Sequence, residues 1–227
     1  MDKRSLIFVS IAGAFLLLSI YLYHYQLYIA LSYSLWVLIF MAFIAFITHR
    51  KLNAEEIVVI TALAAIAAVG RTIFAPIPSV QPVSFIIICS AAVFGWRTGL
   101  MVGVLSAFGS NLFLGQGPWT LWQMLAWGSM GLAAGLLFHN RNKNSKLAKM
   151  IFGFAAGIMF GWIMNLWYMV SYLDSVSING ILLAYSASAY MDLLHAFSNV
   201  FFIALFADSL EKILARIRNK YGILDQA

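Results

Sequence analysis

Arg71 and Asp192 are ionisable groups set within long apolar runs, each near the same end of its run when the runs are laid side by side. A charge held in hydrocarbon costs about 2.5–3.5 kcal/mol on insertion scales, so it needs a partner or a watery cavity. Three chemistries are open. Arg71 and Asp192 pair with each other, they face a bound ligand, or Arg71 snorkels to the headgroups. Asp192, His195 and Asn199 stand at i, i+3 and i+7 and share one helix face, which must look away from lipid. His195 alone reads first as a hydrogen-bonded core residue. The other histidines, His24, His49 and His139, belong to distant turns, so no metal site is expected.

A second group of residues offers amides and flat rings. It lies in the stretch from Asn111 through Gly115, Gln116, Gly117, Pro118, Trp119 and Trp122 to Gln123. The glycines and the proline force a tight turn. Gln116 and Gln123 place amide donors and acceptors beside the indoles. An interfacial aromatic belt accounts for the tryptophans but not for the glutamines. The Pro-rich turn from Ile73 to Pro82 brings Gln81 to the same side. Arg71, Gln81, Asn111, Gln116, Trp119, Trp122, Gln123, Asp192 and His195 are therefore expected to line a pocket at one mouth of a helix bundle.

No Gly-rich loop with Lys-Ser or Lys-Thr occurs, and no HExxH pattern, so neither P-loop hydrolysis nor metalloprotease chemistry is expected. Gly109-Ser110-Asn111 is a poor imitation of a nucleophile turn. A rival reading is an intramembrane enzyme using Asp192, His195 and Ser110 or Ser198. Another is an assembly factor whose packing faces alone matter.

The elements that must position these groups are membrane helices. Of 227 residues 63% are hydrophobic and 10% charged, with 18 Phe, 10 Tyr and 7 Trp, and the mean hydropathy is +0.90. A soluble domain is about 45–50% apolar and about 25% charged. Soluble enzymes, disordered tails and nucleic-acid modules are thereby excluded. The single cysteine, Cys89, allows no intrachain disulfide.

Eight spans are expected, at 5–23, 27–48, 55–75, 83–95, 98–114, 121–139, 147–171 and 188–210. The fourth is short, so it begins earlier, tilts or sits shielded by neighbours. With eight spans, thirteen of the fourteen Lys and Arg fall on one face, Arg71 being the exception. The positive-inside rule then puts both termini in the cytoplasm and reads the net charge of +6 as a topology signal. The chain divides into a two-helix transmembrane hairpin at 1–54, a six-helix unit at 55–210 and a basic cytoplasmic tail at 211–227. Gly95, Gly99, Gly103, Ala107 and Asn111 recur every four residues, as do Gly153, Gly157, Gly161 and Asn165. Such stripes let helix backbones approach closely in lipid.

The segments Gly70 to Pro82, Phe94-Gly95 and Ser110 to Met124, with the run Gly115-Gln-Gly-Pro-Trp-Thr120, resemble the substrate-binding S components of energy-coupling factor (ECF) transporters. The resemblance covers about 55–210 and is greatest to the cobalamin-assigned, CbrT-like group, which the extra hairpin also resembles. It implies an all-α integral membrane protein of the cell membrane with a six-helix S-component core. It also implies vitamin capture from outside, with cobalamin as the expected transported ligand, another vitamin or a benzimidazole precursor as the alternative, and no permanently bound cofactor. A membrane T component and two cytosolic ABC ATPases are the implied partners, so the chain is expected to be no enzyme itself. S components are thought to topple in the membrane and release their vitamin inside. In the family an Ala-x-x-x-Ala motif on the first core helix docks the T component, and Ala64 and Ala68 match it here. Ordinary packing in an Ala-rich helix explains the same pair. The turns 73–82, 115–121 and 172–187 are expected to act as lid and pocket wall.

Overall fold

The structure, a computed structural model, describes residues 52–139, 145–172 and 177–223, together with Ser34 and Leu38. The two hairpin spans, 5–23 and 27–48, therefore lie outside the described residues apart from those two. Six helices follow: α1 Ala54–Phe74, α2 Val83–Phe94, α3 Trp96–Leu114, α4 Trp119–Phe138, α5 Lys146–Tyr172 and α6 Ile178–Tyr221. Among the described residues there is no strand. Four of the helices, α1, α4, α5 and α6, are long and apolar enough to cross a membrane.

The helix ends follow local chemistry. Glu56 closes the start of α1 by accepting the Asn53 backbone N–H at 3.1 Å. Gly95, at φ 89°, ends α2 and starts α3 with no intervening loop, a backbone turn that only glycine makes freely. Ser177 caps α6 by accepting the Gly180 N–H at 3.1 Å. Gly222, at φ 59°, ends α6 with its N–H on the Arg218 carbonyl.

All 12 residues of α2 are buried, so of the three options for the short fourth span the shielded one holds. At about 1.5 Å per residue α2 spans only about 18 Å. Its glycine end runs directly into the start of α3. At its other end the connection 75–82 meets α6, with the Gln81 backbone N–H on Ser198 Oγ at 3.0 Å. This end, where α1, α3 and α5 finish and α2, α4 and α6 begin, is the mouth.

Glycines set the two tightest helix pairs. A Cβ on Gly99 would overlap the backbone of Gly131, one on Gly131 the backbone of Gly99, and one on Gly103 the backbone of Trp127, so α3 and α4 touch main chain to main chain. In the pair α5–α6 a Cβ on Gly157 would lie 2.6 Å from the Ala196 Cα, and one on Gly161 would overlap the Asp192 carboxylate.

The last span differs from expectation. It was expected at 188–210 and runs from Ile178 to Tyr221, 44 residues. The Ser177 cap nucleates helix through Asn179 and Gly180, so 178–187 is helical rather than a turn. Beyond residue 210 the pattern stays amphipathic: Leu214 is buried while Lys212, Arg216 and Lys220 are exposed. Two ion pairs and one further bond tie the end opposite the mouth. Lys146 Nζ meets Asp208 at 2.9 Å, Lys149 Nζ meets both Glu211 oxygens at 2.6 Å, and Arg218 Nη1 donates to the Val93 carbonyl at 2.9 Å. The Lys149 side chain is 2% exposed and that of Glu211 20%. Removing one partner of so enclosed a pair strands the other charge. Lys149→Met should cost about 3 kcal/mol in detergent unfolding, the low end for a buried pair because Glu211 is partly exposed, and adding Glu211→Leu should recover most of it, because a well-packed apolar pair replaces a buried ion pair at little loss.

Candidate functional site

The mouth half of the bundle holds one connected polar and aromatic cluster. Arg71 reaches it from the last turn of α1. Its Nη1 donates to Ser110 Oγ at 2.7 Å and to Asn111 Oδ1 at 2.7 Å, and its guanidinium carbon lies 5.1 Å from the centre of the Trp127 ring. Asn111, 1% exposed, is the hub. Its Nδ2 donates to Thr120 Oγ1 at 2.8 Å and to Gln123 Oε1 at 2.7 Å. Thr120 donates onward to Gln116 Oε1 at 2.9 Å, and Gln116 Nε2 to the Phe108 carbonyl at 2.9 Å. The tight turn after α3 is thus stitched by the side chains that flank it.

The aromatic part adjoins Arg71. The buried Trp127 lies against Phe160, centroids 4.6 Å apart, and Phe160 against His195 at 4.9 Å. Trp127 Nε1 donates to Ser84 Oγ at 3.2 Å, and Ser84 Oγ and His195 Nε2 are 3.0 Å apart. The start of α2 is therefore pinned to α4 and α6 at once. Nearer the mouth, Trp119 packs edge-on to Trp167 at 5.9 Å. A Cβ on Gly117 would overlap the Trp119 ring, which is why glycine stands there.

Arg71, Asn111, Gln116 and Gln123 form one hydrogen-bond chain, with Thr120 as a link the sequence reading did not select. Trp122, half-buried, lies on the same turn of α4 as Gln123, and its Nε1 is buried without a hydrogen-bond partner. Gln81 is tied to α6 rather than to this hydrogen-bond chain: its backbone N–H is on Ser198 Oγ, and Ser198 Oγ donates to its carbonyl at 3.3 Å. Asp192 and Arg71 are not an ion pair. Asp192 accepts from Ser188 Oγ at 2.9 Å, and Ser188 also accepts from Asn165 Nδ2 at 2.7 Å. Gly161 leaves the space that the Asp192 carboxylate fills. The Asn that ends each glycine stripe is thus a polar anchor, Asn111 for Arg71 and Asn165 for Ser188.

Ala64 and Ala68 are each 4% exposed, and Ala68 Cβ is the nearest neighbour a Cβ on Gly109 would meet, at 3.5 Å. Their methyls turn into the chain toward α3, while Ala62, Ala65, Ile66 and Val69 form the exposed strip of α1. The expected wall turn at 172–187 is largely helix, since α6 begins at Ile178. Residues 173–176 lie outside the described residues.

Sequence reasoning missed Ser84, Trp127 and Phe160. Trp127 is four residues beyond Gln123, so helical spacing could have found it. Ser84 and Phe160 carry no comparable mark. The arrangement offers no nucleophile–base–acid chain from the residues a hydrolytic reading would choose. His195 meets Ser84, Asp192 meets Ser188, and Ser198 meets the Gln81 backbone. The cluster sets polar donors and acceptors beside aromatic faces.

A family model described as ECF transporter, substrate-specific component, matches residues 55–217. Comparison with curated proteins and with solved structures finds no match. The match covers all but the last turn of the six-helix bundle and every residue of the cluster. The chain belongs to the substrate-specific components of ECF transporters, multi-pass membrane subunits that bind the substrate and work with a T component and ATPases rather than catalysing a reaction themselves.

Proposed function

We propose that this protein captures a vitamin at the mouth of its bundle, that the mouth faces outward from the cell membrane with both termini cytoplasmic, and that the cargo is cobalamin. The observation that carries the reading is the amide chain from Arg71 through Asn111 to Gln123, set beside Trp127 and below Trp119. Cobalamin presents a rim of amides and a broad apolar ring face. Amides and indoles answer those two features directly. The Pro-rich turn 75–82 closes over the cargo, and the bundle then reorients toward the T component and two ABC ATPases. The exposed strip of α1 is the docking face in this reading, with Ala64 and Ala68 holding α1 tight to α3 behind it.

Calorimetric titration of the detergent-purified chain with cobalamin, with riboflavin and folate as controls, tests the reading. Tight one-to-one binding of cobalamin alone is expected. Trp119→Ala and Gln123→Ala should each weaken it at least tenfold, because each removes a pocket wall or a polar contact in a desolvated site. Unchanged affinity in both variants sinks the pocket placement. No heat with cobalamin sinks the cargo and leaves the transport subunit standing.

A further inference from the structure

The hydrogen-bond chain has a direction, and the direction limits what can bind. An arginine only donates. Arg71 Nη1 meets Asn111, so the Asn111 oxygen must face it and the Asn111 amide nitrogen must face the other way. That nitrogen donates to Gln123, so the Gln123 oxygen faces Asn111 and the Gln123 amide nitrogen faces away. Among the described residues Gln123 Nε2 has no hydrogen-bond partner, nor have Arg71 Nη2 and Nε. The two hydroxyls beside them already accept and donate: Ser110 takes Arg71 and donates to the Ala107 carbonyl at 3.2 Å, and Thr120 takes Asn111 and the Gly117 N–H and donates to Gln116. Among the described residues no carboxylate pairs with Arg71. The cluster thus holds one positive charge with no carboxylate partner, set against the Trp127 ring, and free donors beside it, while each of its side-chain oxygens already accepts at least one bond.

We infer that the Arg71–Asn111–Gln123 cluster is an anion seat: the cargo presents a carboxylate or phosphate group to Arg71 and Gln123. This rests on the substrate-binding reading of the mouth but not on the choice of cobalamin, whose phosphodiester is one group that would fit. A negative oxygen group satisfies free N–H donors and neutralises a charge that is costly away from water.

The test uses ligand pairs of which one member carries that group and the other lacks it: flavin mononucleotide and riboflavin, biotin and biotinamide, pantothenate and panthenol, and cobalamin and cobinamide, the last of which lacks the ribose and the base as well. Each is titrated into the full-length chain, its Arg71→Gln variant and its Arg71→Lys variant. In the pair the protein recognises, the anionic member should bind at least tenfold more tightly. Arg71→Gln should shrink that preference below threefold, and Arg71→Lys should keep most of it. A merely structural arginine would lower both members equally and leave the ratio unmoved. If Arg71→Gln does not fold, Gln123→Glu takes its place, since it keeps an oxygen for Asn111 and puts a negative oxygen where the free donor was. The preference should then fall at least fivefold. Cobalamin bound no better than cobinamide, a neutral member such as riboflavin bound alone, or a ratio that survives these variants overturns the seat and leaves substrate capture standing. A carboxylate pair that shows the pattern while cobalamin is silent overturns the cargo and upholds the seat. Silence of every pair overturns both.

Discussion

Replacing Gly99 with valine should cost the bundle about 3 kcal/mol or more and remove most folded protein from detergent extracts. Overpacking a well-packed interior usually costs about 1–3 kcal/mol, because side chains and backbone can shift to share the strain. Here the obstacle is the main chain of Gly131, whose own Cβ would overlap Gly99 in return. No rotamer relieves a clash between two backbones, so α3 and α4 must separate along their whole contact. That separation also pulls Gly103 away from Trp127 and opens the aromatic half of the site. Gly109→Ala is the matched control. Its new Cβ would meet only Ala68 Cβ, at 3.5 Å, an ordinary contact, and its effect should stay within about 0.5 kcal/mol. Thermal unfolding followed by size-exclusion recovery distinguishes the two, and equal recovery of both variants would contradict the backbone-contact account.

The second large effect belongs to Asn111. Asn111→Leu fills a similar volume but removes an acceptor from Arg71 and a donor from both Thr120 and Gln123. Buried polar groups left without partners cost about 1–3 kcal/mol each, and more when charged. Cargo affinity should fall at least a hundredfold and stability by about 2–3 kcal/mol. Asn111→Asp separates the two effects. The carboxylate still accepts from Arg71, and Gln123 can turn its amide to donate to it. Stability should stay close to that of the parent, while affinity for the anionic member of a ligand pair collapses because Arg71 is now neutralised from within. Titration and unfolding of the two variants check this, and a fully binding Asn111→Asp would show that Arg71 does not face the cargo.

Much of this architecture can be read from residue order. The helices from α1 to α5 fall within a few residues of the apolar runs, because Pro76, Pro78 and Pro82, Gly95, and the Gly115–Pro118 turn interrupt them unambiguously. Arg71 and Asn111 stand out since polar groups in apolar runs need a reason. What could not be read is which groups meet. Arg71 and Ser110 are 39 residues apart, and nothing in local spacing favours that hydroxyl over the opposite charge of Asp192. Ser84 hides in an apolar run because a small hydroxyl barely lowers its hydropathy, yet it pins three helices. The length of α6 escaped for a different reason. Hydropathy marks where a helix leaves hydrocarbon, whereas helix continuation depends on capping at Ser177 and on the amphipathic turn at Leu214.

That length makes α6 a lever. At about 1.5 Å per residue its 44 residues extend about 66 Å, roughly twice the thickness of the hydrocarbon layer. It is clamped to α5 by the Gly157–Ala196 contact and by the Lys149–Glu211 pair, so the two helices turn as a single beam. Asp192 and His195 sit on one arm of the beam and the basic turn from Lys212 to Lys220 on the other. A tilt of about 10° swings one tip through about 11 Å relative to the other over this length. A tilt of the pair as one body about its middle would therefore carry the positively charged tip further than the level of Asp192 and His195, which lie nearer the centre of the helix.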